Sequence, residues 1–168
     1  IDVFSHVGGF SLAALSAGAT SAIAVDSSQP ALDLAIKGAD ASGFSKSFST
    51  HKGDAFEVMA QLFEEGERYQ VVVCDPPAFA PSKPALERGL RAYEKAAKMA
   101  SKLVKPGGYL VLCSCSHAAD MQKFRKASLV GMGKAGRKGQ IIHSGSAGID
   151  HPVHPHLAES SYLKSMFN

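Results

Sequence analysis

Glycine and aspartate residues follow four apolar runs of the sequence, and their types and spacing could do chemistry. Gly8 and Gly9 come after the first run, Asp26 after the second, Asp54 after the third and Asp75 after the fourth. Glycines let a ligand approach the backbone at the start of a helix, and a carboxylate at a strand end can accept both hydroxyls of a ribose. Taken singly, the glycines could equally form a tight turn, and Asp26 or Asp54 could equally cap a helix.

Taken together, these residues favour one kind of nucleoside cofactor. A nicotinamide-binding chain carries G-x-G-x-x-G after its first strand, and residues 6–11 do not fit that pattern. The sequence also lacks the G-x-x-x-x-G-K-[ST] phosphate loop. A turn with two glycines, followed by acids after the second and third strands, suits a nucleoside carried by a sulfonium group rather than by pyrophosphate.

Apolar runs that alternate with helical patterns predict the elements that hold these residues. Strands are predicted near 1–4, 21–25, 45–50, 69–74, 109–113, 140–143 and 161–167, and helices between most of them. This alternation is typical of βαβ units and a mainly parallel sheet covered on both faces. The sequence therefore predicts a single doubly wound α/β domain, with ligands beyond the carboxyl ends of the strands.

Composition and charge exclude several classes of protein. The 168 residues are 45% hydrophobic and 20% charged, which is an ordinary globular mixture rather than a disordered one. No apolar run approaches the roughly 20 residues that cross a bilayer, so no membrane partner is expected. The formal charge of +3 is compatible with RNA without demonstrating it. Cys74, Cys113 and Cys115 fit neither a disulfide framework nor a zinc pattern, which favours free thiols in a reducing cytoplasm.

Longer motifs recur along the whole chain. They are F-S-H-V-G-G-F-S (4–11), V-D-S-S-Q-P-A-L (25–32), G-D-A-F (53–56), D-P-P-A-F-A (75–80), R-A-Y (91–93), P-G-G (106–108), S-C-S (114–116), D-H-P-V (150–153) and Y-L-K (162–164). In this combination the chain resembles the class I S-adenosylmethionine-dependent methyltransferases. More specifically, it resembles the cytosine-5 methyltransferases of large-subunit rRNA whose full-length members carry an N-terminal PUA domain. D-P-P-x-F, S-C-S and D-H-P-V, in this order, are its most specific features.

The resemblance implies a Rossmann-like sheet of seven strands, with an antiparallel last strand, and S-adenosylmethionine as the cofactor. It implies that Gly8 and Gly9 approach the methionine part, that Asp26 holds the ribose hydroxyls and that Asp54 contacts the adenine. Asp75 would lie beside both the methyl group and the target base. Because the chain begins at Ile1 already in strand-like sequence, we expect residues 1–168 to be a catalytic domain whose upstream PUA and connecting regions are absent. The full-length protein could form a homodimer.

Cys115 carries the sharpest chemical expectation. Carbon 5 of cytosine is a poor nucleophile, and a thiolate that adds at carbon 6 makes carbon 5 reactive enough to take a methyl group. Cys115 lies just beyond the fifth strand, next to the strand that ends at Asp75. We therefore predict that Cys115 is the covalent nucleophile and that Asp75 binds or protonates the pyrimidine. Cys74 and Cys113 lie inside apolar runs and are predicted to be small buried hydrophobes.

Further residues are predicted to contact the substrate. Pro76 and Pro77 fix the backbone after the catalytic aspartate, and Phe79 could stack on a base taken out of its RNA context. Arg91 and Tyr93 match the family and could contact the RNA. The basic residues of their helix could equally form a solvated face.

Other functions remain open at this point. An RNA methyltransferase that acts on a base nitrogen would need no thiol, and an RNA-binding relative could keep the fold without catalysis. A nicotinamide oxidoreductase is disfavoured by the glycine pattern. Prolines interrupt His151, His154 and His156, and no recognisable ligand set completes them, so no metal site is predicted.

Overall fold

The computed structural model describes residues 1–149, 151–157 and 160–168. Within these ranges, seven strands and five α-helices follow one another along the chain, with a short 3-10 helix at Lys83–Ala85. The elements are β1 (Asp2–Val3), α1 (Gly9–Ser16), β2 (Ala22–Asp26), α2 (Gln29–Ala41), β3 (Phe48–Lys52), α3 (Ala55–Glu64), β4 (Tyr69–Cys74), α4 (Leu86–Leu103), β5 (Val104–Ser114), α5 (Met121–Lys134), β6 (His143–Gly145) and β7 (Lys164–Phe167).

The strands form one mixed sheet in the order β3-β2-β1-β4-β5-β7-β6. The first five strands in this order are parallel, and β7 runs antiparallel to both β5 and β6. The predicted doubly wound, seven-stranded sheet with an antiparallel last strand is therefore confirmed. The chain moves outward from β1 to β3, then crosses to β4 and moves outward in the other direction. Right-handed crossovers consequently put α1 and α2 on one face and α3, α4 and α5 on the other.

The strand register brings the predicted site residues to one edge of the sheet. Val25, Val3, Cys74 and Leu112 lie side by side in one row across four neighbouring strands. The residues that follow this row are at the carboxyl ends of their strands, and the strand order reverses between β1 and β4. This is the place where doubly wound sheets bind ligands.

The larger part of the core lies between the sheet and α3–α5. Leu103, Phe124 and Met166 are almost fully buried there. Gly131 of α5 faces the carbonyl of Glu94 in α4 so closely that a Cβ atom would collide with it. This contact lets the two helices pack tightly beneath the carboxyl end of β5.

Some predicted boundaries differ from those of the structure. From the sequence, a helix is also predicted from about residue 118 to 129; it begins instead at Met121, because the Asp120 carboxylate caps it by accepting the Lys123 amide at 2.8 Å. The strand expected at 140–143 lies at His143–Gly145, where it can pair with β7. Asp150, which opens the D-H-P-V motif, lies outside the described residues. No helix within the described part of the chain has the length and hydrophobicity of a membrane span.

Candidate active site

The loop after β1 is held in an unusual backbone conformation. Gly8 has φ 76° and is the N-cap of α1, and a Cβ atom there would lie 3.0 Å from the Cβ of Ala35. Phe4 and His6, which are not glycines, also have positive φ values of 63° and 49°. Residues other than glycine rarely adopt positive φ values, and such backbone strain often marks ligand-binding loops. The predicted glycine turn is present, and only glycine fits at position 8.

The first turn of α1 has backbone amides that find no acceptor among the described residues. A Cβ atom at Gly9 would meet nothing within 4 Å, so space is open there. Among the described residues, the amides of Gly9 and Phe10 have no acceptor, whereas the amide and hydroxyl of Ser11 both donate to Asp2 at 3.1 Å. Exposed amides at a helix N-terminus suit an anionic group such as a carboxylate.

Asp2 is a buried acid that the sequence reasoning missed. It is only 2% exposed, and its second carboxylate oxygen has no partner among the described residues. Burial raises the pKa of this carboxyl group above its ordinary value, and the hydrogen bonds from Ser11 oppose that shift. Asp2 therefore ties β1 to the first turn of α1 beneath the glycine loop.

Asp26 and Asp54 both have structural hydrogen bonds. Asp26 accepts the amide of His6 at 2.8 Å and that of Ser28 at 2.9 Å, which links the glycine loop to the end of β2. Asp54 accepts the amide of Phe56 at 2.9 Å and caps α3, so the capping alternative is confirmed for this residue. Each Asp26 oxygen accepts one amide and keeps a second lone pair, whereas Asp54 Oδ1 accepts the amides of both Phe56 and Glu57 and leaves Oδ2 for another donor. Asp26 is half-buried and Asp54 is exposed at the carboxyl edge.

Asp75 begins the loop that leaves β4. Its amide donates to the carbonyl of Val3 at 3.2 Å, and its side chain is half-buried. Burial raises the pKa of the Asp75 carboxyl group, which favours the protonated form more than an exposed aspartate would. Pro76 is buried and Pro77 is exposed, so these two neighbours differ in what they could present to a ligand.

Cys115 lies close to this loop. Its thiol donates to the carbonyl of Pro76 with a sulfur–oxygen distance of 3.8 Å. Burial is the main cause that raises the pKa of the Cys115 thiol, and the charge of Asp75 raises it further. The ammonium of Lys164 opposes this shift. The structure thus brings Cys115 and the Asp75 loop together at one edge.

The other two cysteines, Cys74 and Cys113, differ from each other in burial. Cys74 is almost completely buried, and burial raises the pKa of its thiol far above the ordinary range. Burial raises the pKa of Cys113 to about 12. Both are therefore protonated at neutral pH. The prediction of a buried hydrophobe agrees with Cys74, whereas Cys113 is half-buried. Cys115 is half-buried as well, and its thiol differs in having the Lys164 ammonium nearby, which favours the thiolate.

Tyr93 does not lie where a substrate could touch it. It is 2% exposed, and its hydroxyl is hydrogen-bonded to Ser116 Oγ at 2.7 Å and receives a bond from Ser114 Oγ at 2.9 Å. Ser116 Oγ also accepts the Ala80 amide at 2.9 Å. The expected contact between Tyr93 and RNA is therefore corrected: Tyr93 lies under the site and fixes both serines that flank Cys115.

Phe79 belongs to an aromatic cluster rather than standing free in solvent. Its ring centroid lies 5.0 Å from Tyr93, 6.1 Å from Phe4 and 6.2 Å from Phe56. It is half-buried, so only part of the ring could meet a base. Gly89 of α4 allows this loop to approach, because a Cβ atom there would lie 2.6 Å from the Phe79 carbonyl oxygen.

Arg91 is exposed on the outer side of α4, consistent with either a phosphate contact or a solvated face. A cavity of about 570 Å³ lies between the segment that leads into α5, the end of β6 and residues 161–164. The ring of His117 stacks on Tyr162 along its wall, with the centroids 4.6 Å apart. The described residues contain no group of three or more side chains that could hold a metal ion.

Comparison with known proteins identifies the family. A model of the family described as conserved hypothetical protein 95 matches residues 1–141. The chain belongs to that family. A relative from Aeromonas salmonicida, named ribosomal RNA large subunit methyltransferase I, is 37% identical over 169 residues, which cover 99% of this chain and 42% of the relative. The chain thus spans about two-fifths of the length of the curated relatives it matches.

Solved structures share the fold of this family member. A Streptococcus mutans protein described as a SAM-dependent methyltransferase superimposes with a TM-score of 0.82 at 22% identity, covering 99% of this chain and 43% of that one. NSun6 from Pyrococcus horikoshii, solved with SFG, gives a TM-score of 0.68 at 22% identity, covering 99% and 46% of the two chains. The fold is therefore that of the class I methyltransferases.

Proposed function

We propose that residues 1–168 are the catalytic domain of an enzyme that transfers a methyl group from S-adenosylmethionine to carbon 5 of a cytosine in large-subunit rRNA. The observation that carries the proposal is the meeting of Cys115 with the Asp75 loop at the carboxyl edge of the sheet. The printed names of the curated relatives agree with an rRNA substrate. A cytoplasmic location and a homodimer of the full-length protein remain predictions.

The residues at the carboxyl edge fit the cofactor. The free amides of Gly9 and Phe10 suit the carboxylate of the methionine part, and the open space at Gly9 lets the ligand approach the backbone. The remaining lone pairs of Asp26 suit ribose hydroxyls, and exposed Asp54 suits the adenine amino group. When bound, the cofactor supplies an electrophilic methyl group on a sulfonium.

Cys115 would act as the nucleophile toward the base. Its thiolate adds to carbon 6 of cytosine, and carbon 5 then gains the electron density that it needs to take the methyl group. The carbon-5 proton would then pass to water, the thiolate would leave carbon 6, and the proton on ring nitrogen 3 would return to the Asp75 carboxylate, which restores the aromatic ring. In the resting state the Cys115 thiol donates a hydrogen bond to the Pro76 carbonyl, which holds the sulfur toward the loop that would face the base.

Asp75 would act on the other side of the pyrimidine. Burial raises the pKa of its carboxyl group, so a protonated Asp75 can donate to ring nitrogen 3 while the thiolate adds at carbon 6. The proton neutralises the negative charge that the addition would otherwise leave on the ring. The raised pKa of Asp75 and its position near Cys115 thus both suit the step in which the thiolate adds to the ring.

The substrate side is built from less buried groups. Exposed Pro77 and the accessible part of Phe79 could border the base, while Pro76 contributes through its carbonyl and Arg91 could contact phosphate. The cavity beside His117 and Tyr162 has room for a nucleotide next to the reacting one. Extruding a base from single-stranded RNA would cost a few kcal/mol at most.

Mapping rRNA methylation by mass spectrometry tests this function. Cells that lack the gene are complemented with the wild-type gene, with Cys115→Ala or with Cys113→Ala as the matched control. We expect one 5-methylcytosine of large-subunit rRNA to vanish in the deletion strain, to return with wild type and Cys113→Ala, and to stay absent with Cys115→Ala. A mark on a base nitrogen that Cys115→Ala restores would support the non-covalent alternative instead.

A further inference from the structure

We propose that Lys164 is a positioning residue that holds the S-C-S segment and stabilises the thiolate form of Cys115. The inference rests on the proposed function, which gives that thiolate its purpose. Lys164 belongs to the Y-L-K motif, and the reaction described above leaves this motif without a role. Its contacts, its lack of an acidic partner and its charge each support the inference.

The first observation is the position that strand β7 gives to the ammonium group of Lys164. Lys164 lies opposite Ser114 in the antiparallel pair of β5 and β7. Its Nζ donates to the carbonyl of Ser116 at 2.9 Å and to that of Tyr162 at 2.6 Å. The side chain therefore reaches across the end of β5 and binds the peptide that follows Cys115. A third N–H remains for another acceptor.

The second observation is the absence of a counter-ion. Lys164 is half-buried, and burial lowers the pKa of its ammonium group. Neither of the salt bridges within the described ranges involves Lys164. Asp120 acts on it from a distance and has its carboxylate bound to Lys123 instead. A partly desolvated cation that is held only by carbonyls is costly, and a nearby anion would offset that cost.

The third observation is the set of charges that face Cys115. Burial disfavours the thiolate most, and Asp75, at the end of β4, adds to this while its carboxyl group is ionised, whereas Lys164, from β7, favours the thiolate. Burial raises the pKa values of Tyr93 on α4 and Cys113 on β5, so both are neutral near pH 7. Among the groups of the described chain that act on the Cys115 thiol, Lys164 is the cation. It is therefore suited to balance Asp75 when the thiol ionises.

The test measures the ionisation of Cys115 directly. The intact protein is alkylated with iodoacetamide between pH 6 and pH 11, and tandem mass spectrometry separates modification of Cys115 from that of nearby Cys113. The variants are Lys164→Met, which keeps an unbranched apolar stem, and Lys164→Arg, which keeps the charge. Lys105→Met, an exposed lysine at the opposite end of β5, controls for net charge.

We expect Lys164→Met to raise the apparent pKa of the Cys115 thiol by about half a unit to one unit, as an order of magnitude for a charge in a partly buried site. Alkylation at pH 7.5 should then fall about three- to tenfold, while the rate at pH 11 stays near wild type. Lys164→Arg should restore most of the shift, and Lys105→Met should match wild type. An equal melting temperature for Lys164→Met and Lys164→Arg shows that folding is not the cause.

Several results would overturn the inference. An unchanged thiol pKa in Lys164→Met excludes the electrostatic role, and a lower plateau at pH 11 without a pKa shift reduces Lys164 to a structural tether. A loss of RNA affinity with an unchanged thiol pKa makes Lys164 a phosphate contact instead. Alkylation requires no methyl transfer. Failure of the proposed function, seen as an active Cys115→Ala variant, is therefore distinguishable from failure of this inference.

Discussion

Replacing Tyr93 with phenylalanine tests whether the S-C-S segment is held from below. The variant loses the hydroxyl that bonds to Ser114 and Ser116 at 2.9 and 2.7 Å, while each serine keeps one amide donor. Two buried hydrogen bonds at about 0.5–1.5 kcal/mol each give a loss of about 1–3 kcal/mol in the free energy of unfolding. For a domain of this size, a loss of 2 kcal/mol lowers the melting temperature by about 4–8 °C.

Tyr69 offers the same chemical change as a matched control. Its hydroxyl is buried and has no partner among the described residues, so Tyr69→Phe should leave the free energy of unfolding unchanged or raise it slightly. Urea unfolding followed by circular dichroism measures both variants. Hydrogen exchange should also speed up at residues 114–116 in Tyr93→Phe alone. Equal destabilisation by the two variants, or unchanged exchange at residues 114–116, would refute the proposed network.

Four further substitutions have defined outcomes, one of them as a control. Gly89→Ala places a Cβ atom 2.6 Å from Ala80 Cβ and should lower both stability and activity, whereas Gly133→Ala in α5, where space is open, should raise stability by up to about 1 kcal/mol in thermal melts. Because folding raises the pKa of Asp2, its stabilising contribution is complete below the unfolded pKa and falls as pH rises through the folded value. The melting temperature of Asp2→Asn relative to that of wild type should therefore increase as pH rises from the unfolded pKa of about 3.9 towards neutral, and an opposite trend would contradict this sign. Asp26→Asn should weaken S-adenosylmethionine binding at least about tenfold in calorimetry while leaving the secondary structure intact, since the remaining amide is a poorer acceptor for two hydroxyls.

The sequence predicted the sheet well because its signals are local. Tyr69–Cys74 is a run of apolar and β-branched residues that ends at two prolines, and the predicted and observed strands coincide. Acids after successive strands reach one edge because the register of a parallel sheet aligns strand ends, as for Asp26 and Asp75. Edge strands such as β6 were misplaced by a few residues, because their bounds depend on pairing with β7 rather than on their own composition.

Contacts made across the fold were beyond the sequence. Tyr93 matched a family motif and looked like a substrate contact, but its burial depends on how α4 packs beneath β5. The sequence around Gly89 does not show that glycine is required there, because the requirement comes from the close approach of the Phe79 loop. Lys164 was part of the Y-L-K motif and had no predicted role, because only the pairing of β7 with β5 brings its ammonium to Ser116.

Covalent trapping tests the central chemistry most directly. The intact protein is incubated with S-adenosylmethionine and large-subunit rRNA that contains 5-fluorocytosine, whose fluorine cannot leave as a proton does. A stable protein–RNA adduct should form, tandem mass spectrometry should locate it at Cys115, and Cys115→Ala should abolish it while Cys113→Ala does not. An adduct on another residue, or methylated rRNA without any adduct in the wild-type protein, would contradict a covalent role for Cys115.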